Sequence, residues 1–223
     1  MLKIEALKLR AQDFGNQWFD EIKDRWNYND FLHDDTWRKE WISFDSCYYH
    51  AGTGLVYCGI TSFDADIFWA YDTNAHTFVD CGYEKVRDAY DAKFHRSLVE
   101  RPEDGCLYAA VALLHDIDRY WDAPGGAIVR YDPRTRDLEK VAVPLPHVYI
   151  QSICLDQDRD VIYGQTLTPE RMFRYDLRTG IATDLGPIGS GMSIAQGENI
   201  ELDVDGCAWC GWNATRAWQS EPG

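Results

Sequence analysis

One phrase recurs along this chain and restricts its fold more than any other feature. Leu55-Val56-Tyr57-Cys58-Gly59-Ile60-Thr61 leads to Ile67-Phe68-Trp69-Ala70-Tyr71-Asp72-Thr73 and then to Phe78-Val79-Asp80-Cys81-Gly82. Val161-Ile162-Tyr163-Gly164-Gln165-Thr166 leads in the same way to Met172-Phe173-Arg174-Tyr175-Asp176-Leu177-Arg178-Thr179 and Thr183-Asp184-Leu185-Gly186. Between them, Cys106-Leu107-Tyr108-Ala109-Ala110 leads to Ala127-Ile128-Val129-Arg130-Tyr131-Asp132-Pro133-Arg134-Thr135. A fourth copy opens at Asn199-Ile200-Glu201-Leu202-Asp203 and runs through Cys207-Ala208-Trp209-Cys210-Gly211. The Tyr-Asp pairs at Asp72, Asp132 and Asp176 are spaced 60 and then 44 residues apart, the longer step holding an insertion from Leu113 to Gly126. Repeats of this length, each written as four short strands, are the mark of a β-propeller blade.

The turn chemistry agrees. Asp after Tyr, with Thr close behind, suits a hairpin whose backbone the short polar side chains can hydrogen-bond, while the Tyr packs in the sheet. Asp104-Gly105, Asp205-Gly206 and Gly52-Thr53-Gly54 mark the turns between the first two strands of their blades. The expected fold class is therefore all-β, a propeller with four-stranded antiparallel blades at about 41–82, 93–143 and 148–187 and a partial one at 197–223. Residues 1–40 form a separate helical segment: Phe14, Trp18, Ile22 and Trp26 recur every fourth residue among Asp20, Glu21, Lys23 and Asp24, the spacing of an amphipathic helix that docks on the sheets. Propellers close with roughly four to eight blades, so about three and a half copies read as an incomplete ring. The expected remedies are missing C-terminal blades or self-association with a second chain, and truncation is the favoured one.

Composition limits the partners. Hydrophobic residues make up 45% of the 223 residues, enough for a real core, and nine Trp and thirteen Tyr fill space between sheets or stack on sugars. The formal net charge is -15, which argues against a nucleic-acid partner because no basic surface gains from counterion release. The same charge opposes a polyanionic ligand unless Arg and His side chains make a local positive pocket. The seven cysteines are odd in number, and the charged opening Met1-Leu2-Lys3-Ile4-Glu5 lacks the apolar core of a secretory signal. Reduced thiols in a cytoplasmic protein are the expectation. Cys207-Ala208-Trp209-Cys210 is a CxxC without the second pair a structural zinc site wants. No run of about 18 apolar residues offers a membrane helix.

Candidate site residues lie at the starts of the inner strands, which line a propeller's central channel. These are His95, Arg96 and Ser97 in the second blade; His147, Tyr149, Gln151 and Ser152 in the third; and Gln196 and Asn199 in the fourth. His115, at the end of the next strand out, lies one hairpin from His95, and Asp116 or Asp118 would orient it. Tyr163 occupies the repeated Tyr position of Tyr57 and Tyr108, a packing setting. Arg171 departs from the repeat and so draws interest; Arg174 alternates with Phe173 and Tyr175 and matches Arg130. No nucleophile elbow, P-loop or zinc-protease helix is present.

At Lys93-Phe94-His95-Arg96-Ser97-Leu98, Gly105-Cys106-Leu107-Tyr108, Pro124-Gly125-Gly126 with Arg130-Tyr131-Asp132-Pro133, and Ile162-Tyr163-Gly164 with Phe173-Arg174-Tyr175-Asp176, the chain resembles bacterial propellers related to polysaccharide lyases. The likeness covers roughly residues 41 to 218. It implies lyases of the ulvan and rhamnosyl-glucuronate type, with two His about twenty residues apart followed by Tyr and Arg. His95 and His115 match the spacing; Tyr149 or Tyr163 with Arg171 or Arg174 match more loosely. Oligogalacturonate lyases, the other type implied, set several His and a Gln around a divalent metal, for which His95, His115 and His147 with Gln165 or Gln196 are candidates.

What the resemblance implies is a uronate oligosaccharide substrate cleaved by β-elimination. The catalytic candidates are His95, His115, Tyr149, Tyr163 and Arg171. The substrate-binding candidates are Arg96, His147, Gln151, Arg174 and Asn199, with a divalent metal as the candidate cofactor. A non-enzymatic scaffold or ligand-binding propeller is the first alternative, and a metal-dependent hydrolase of the lactonase kind the second.

Overall fold

Period-two sequence and Asp/Gly turns fold this chain into successive antiparallel hairpins. A computed structural model describes residues 33–40, 42–115, 117–167, 169–188, 199–212 and 216–220. The helix expected from Phe14 to Trp26 lies outside them. A short helix, α1 (Asp35–Glu40), precedes β1 (Ile42–His50), β2 (Leu55–Ser62), β3 (Phe68–Asp72) and β4 (Thr77–Asp80), which pair in sequence order. The second unit holds β5 (Asp91–Phe94), β6 (Val99–Arg101), β7 (Cys106–Leu113), β8 (Ile128–Tyr131) and β9 (Leu138–Ala142). Here β5 and β6 both pair with β7, so they are one inner strand broken at 95–98. The third is β10 (Tyr149–Asp156), β11 (Val161–Leu167), β12 (Arg171–Asp176) and β13 (Ile181–Pro187); the fourth is β14 (Ile200–Leu202), β15 (Ala208–Trp212) and β16 (Arg216–Ser220). These curled, up-and-down antiparallel sheets, packed face to face, are a propeller arrangement.

The recurring Tyr residues now have a reason. Tyr57 on β2 packs against Tyr131 on β8, ring centroids 5.6 Å apart, and Phe68 meets Tyr131 edge-on at 5.1 Å. Tyr108 on β7 and Tyr175 on β12 share the next core, with Ile128, Ile150, Ile162 and Phe173. Tyr163 on β11 enters the third, with Met172, Ile200, Ala208 and Cys210. The Tyr of a second strand thus faces the following blade, while the Tyr of the Tyr-Asp pair faces the preceding one. Burial raises the pKa of Tyr57, Tyr108, Tyr131 and Tyr175, keeping these hydroxyls neutral. Each such side chain contributes on the order of 2 kcal/mol through removal of apolar surface from water.

The Asp residues of the repeat close the outer hairpins. Asp72 Oδ1 accepts the amides of Asn74 and Ala75 at 2.8 and 3.0 Å, and Asp176 Oδ1 those of Arg178 and Thr179 at 3.1 and 2.9 Å. Asp132 Oδ1 accepts the Arg134 amide at 2.9 Å. In the inner hairpins Gly54, Gly105 and Gly206 take positive φ, as their sequence signals require. The third blade puts Asp160 there instead, at φ 58. Its buried carboxylate receives Arg101 of the second blade at 2.8 and 2.9 Å and Arg178 of its own blade at 3.0 Å. The departure from Gly gives an ionic clamp between blades.

The two guanidinium groups, Arg101 first, hold the Asp160 carboxyl down at about 2. Its folded-state pKa lies below the unfolded value of about 3.9, so the clamp stabilises the fold above that pH and fades as pH falls toward 2. Asp160→Asn keeps a side chain that tolerates positive φ and removes the charge. We expect it to cost about 2 kcal/mol in urea unfolding at pH 7, with the gap from wild type closing as pH approaches 2.

Candidate functional site

The inner strands are irregular at one level, and the irregularities aim side chains. Register shifts occur between Phe44 and Ser46 on β1 and between Ile150 and Ser152 on β10, and the inner strand of the second blade breaks after Phe94. The residues thrown out of the ladder are Asp45, His95 with Arg96, and Gln151. Ser46, Ser97 and Ser152 follow at matching places. A cavity of about 460 Å³ is walled by all four inner strands, and its polar lining includes Asp45, Ser46, Arg96, Ser97, Glu100 and Asn199. Two of its carboxylates are engaged: Thr61 and Ser43 hydroxyls donate to Asp45, and Tyr48 donates to Glu100 at 2.9 Å.

His95 sits just beyond β5 and is 8% exposed. Its Nδ1 lies 3.0 Å from the Gln151 carbonyl oxygen in the next blade. A carbonyl only accepts, so Nδ1 carries the hydrogen and Nε2 presents its lone pair. Burial, then the Lys93 charge, lowers the His95 pKa and favours the neutral ring. Tyr149, at the start of β10, meets the imidazole edge-on at 6.1 Å, and Lys93 Nζ stands 5.1 Å above the Tyr149 ring. A neutral base with a fixed tautomer, a phenol and an ammonium are therefore assembled from two blades.

His115, just past the end of β7, belongs to a neighbouring cluster. Its ring contacts Tyr90 at 5.7 Å and Tyr120 at 6.3 Å. Tyr120 in turn contacts Trp121 at 4.9 Å and His147 at 6.0 Å, and Trp121 meets His147 at 5.3 Å. Trp121 is 76% exposed. His147 has φ 63 and sets Nδ1 2.7 Å from the Ala123 carbonyl. Gly125 permits this approach: a Cβ there would lie 2.5 Å from the Leu145 carbonyl oxygen and 3.0 Å from the His147 amide. Asp116 falls outside the described residues.

The remaining candidates divide. Arg96 and Asn199 line the inner cavity, and Gln151 is fully buried beneath His95. Tyr163 is 2% exposed within the core between the third and fourth blades. Arg171 is held by Asp184 across β12 and β13, at 3.0 Å from Nε and 2.5 Å from Nη2, and Arg174 by Asp176 at 3.2 Å. Both arginines stand two strands out from the inner strand. Lys93 is the group that sequence reasoning missed. It lay within a quoted motif, but its contact with Tyr149 crosses a blade boundary. Among the described residues, no three His, Cys, Asp or Glu side chains form a metal-binding group, and no helix is long and apolar enough to cross a membrane.

No family model and no curated protein matches the sequence. Solved structures do match its fold. The extracellular domain of a one-component system from B. thetaiotaomicron aligns with a TM-score of 0.53 at 14% identity, over 76% of this chain and 20% of that one. An oligogalacturonate lyase in complex with manganese gives 0.53 at 11% identity over 76% and 44%. The Dos1 propeller gives 0.53 at 14% over 85% and 45%. The chain spans less than half the length of each of these structures. The likeness is one of propeller fold.

The His95 environment makes a direct prediction. In a histidine-resolved NMR titration, His95 should be the Nδ1–H tautomer and should protonate below the ordinary midpoint of about 6.5. Since its folded pKa is depressed, its contribution to stability is present above that pH and declines as pH falls. A midpoint at or above 6.5 would remove the neutral-base assignment.

Proposed function

We propose that this propeller is carbohydrate-active and cleaves uronate-containing oligosaccharides by β-elimination. The observation that carries the proposal is the juxtaposition of Lys93, buried neutral His95 and Tyr149 across two blades. The fold shared with an oligogalacturonate lyase supports it as analogy only.

In this mechanism the Lys93 ammonium pairs with the uronate carboxylate and stabilises the negative charge that develops beside it. His95 Nε2 removes the proton from the carbon next to the carboxylate. The released electron pair forms the carbon–carbon double bond as the glycosidic carbon–oxygen bond breaks, and Tyr149 protonates the departing oxygen. The described residues do not gather a metal centre, so no step is assigned to an ion. Arg96 and Asn199, facing the inner cavity, are assigned to substrate hydroxyls or a second carboxylate. Arg171 and Arg174, already neutralised by Asp184 and Asp176, and the core residue Tyr163 are left out of the chemistry.

A second reading is sugar binding without turnover. Exposed Trp121 favours it: its indole is propped edge-on by Tyr120 and His147 and offers an apolar face with a polar edge, the combination that suits a pyranose ring.

Incubation with a panel of uronate oligosaccharides should raise the ultraviolet absorbance of the unsaturated product. His95→Ala should lower kcat by about 10³-fold, the scale of general-base catalysis, with near-native circular dichroism. Trp121→Ala should raise KM several-fold at similar kcat. Saccharide binding by calorimetry with no absorbance change from folded wild type would select the second reading.

A further inference from the structure

Seven cysteines are free thiols, and two of them stand opposite each other on neighbouring strands. Cys47 on β1 and Cys58 on β2 are register partners, so their side chains emerge on the same face. Their Sγ atoms are 4.0 Å apart. They differ in access: Cys47 is exposed and borders the inner cavity, whereas Cys58 is 4% exposed.

We propose that Cys47 and Cys58 form a thiol–disulfide modification site in which Cys47 is the attacking thiol and Cys58 the resolving one. An accessible thiol with a buried neighbour within reach is the arrangement of redox-sensitive pairs. Adjacent strands bring opposed α-carbons within the range a disulfide spans, so closure asks little of the backbone. The charge state agrees: the hydrogen bond between the two thiols draws the Cys47 pKa down, while that bond and burial push Cys58 up. Cys47 is thus the more readily ionised of the two, and thiolate is the nucleophile.

The co-reactant is a low-molecular-weight disulfide. The Cys47 thiolate attacks one of its sulfurs, breaking that S–S bond, forming a mixed disulfide and releasing one thiolate. Cys58, on losing its proton to solvent, attacks Cys47 Sγ, forming Cys47–Cys58 and expelling the second thiolate. Two protein thiols are oxidised and one small disulfide is reduced to two thiols. The product lies on the wall of the cavity that also holds Arg96 and Glu100.

The test is to equilibrate the full chain with graded ratios of oxidised and reduced glutathione, quench by alkylation and map peptides by mass. Wild type should lose two alkylatable thiols and yield a Cys47–Cys58 linked peptide that a dithiol reductant reverses. Cys58→Ser should stall as the glutathione mixed disulfide at Cys47, and Cys47→Ser should leave Cys58 unmodified. A linked peptide using Cys81 instead, or a Cys47 that stays unmodified in folded wild type, would overturn the proposal. Wild-type mapping alone decides this if either variant misfolds.

Discussion

The packing of one blade's second strand against the third strand of the next is the contact on which the rest of the structure depends. Each blade by itself is a small curled sheet with two faces to bury, and it cannot bury them without its neighbours. Tyr57 against Tyr131, and Tyr108 in one core with Tyr175, supply that burial. They do so with neutral hydroxyls whose ionisation burial suppresses. Because the contact is made at the second and third strands, the first strands are left to face inward, free to carry polar residues. The ionic clamp from Arg101 to Asp160 fixes the same two blades at the opposite end of the inner strand from His95.

This division of labour explains the site. A regular inner strand would alternate its side chains and keep every other one in the blade core. The shifts at Asp45 and Gln151 and the break at His95 interrupt the alternation at one level in three blades. The Gln151 carbonyl reaches back to His95 as a result. The geometry that sets the imidazole's tautomer is therefore made by two blades together, and inter-blade packing governs the chemistry assigned to His95.

How much of this could be read from residues alone follows from range. The Asp of each Tyr-Asp pair bonds amides two and three positions away, and such local chemistry is visible in sequence. The repeated Tyr, the Gly turns and the strand order were legible for the same reason. Arg171 attracted attention by departing from the repeat, but Asp184 across the hairpin neutralises it, and a lone sequence does not show which carboxylate an arginine meets. Asp160 carries no signal within the repeat, because Arg101, its inter-blade partner, is brought to it only by the docking of two blades. Lys93 and Tyr149 meet only after two blades dock. His115 lies one hairpin from His95 in sequence, yet aromatic contacts assign it to the Tyr120, Trp121 and His147 group.

The central claim is that His95 takes a proton from the carbon beside a uronate carboxylate. Its most direct test is proton NMR of a uronate oligosaccharide incubated with the folded protein in deuterated buffer. The account predicts that the signal of that proton disappears, by exchange or by elimination, and persists with His95→Gln. Persistence of the signal with folded wild type, at saccharide concentrations where binding is measured, would contradict it.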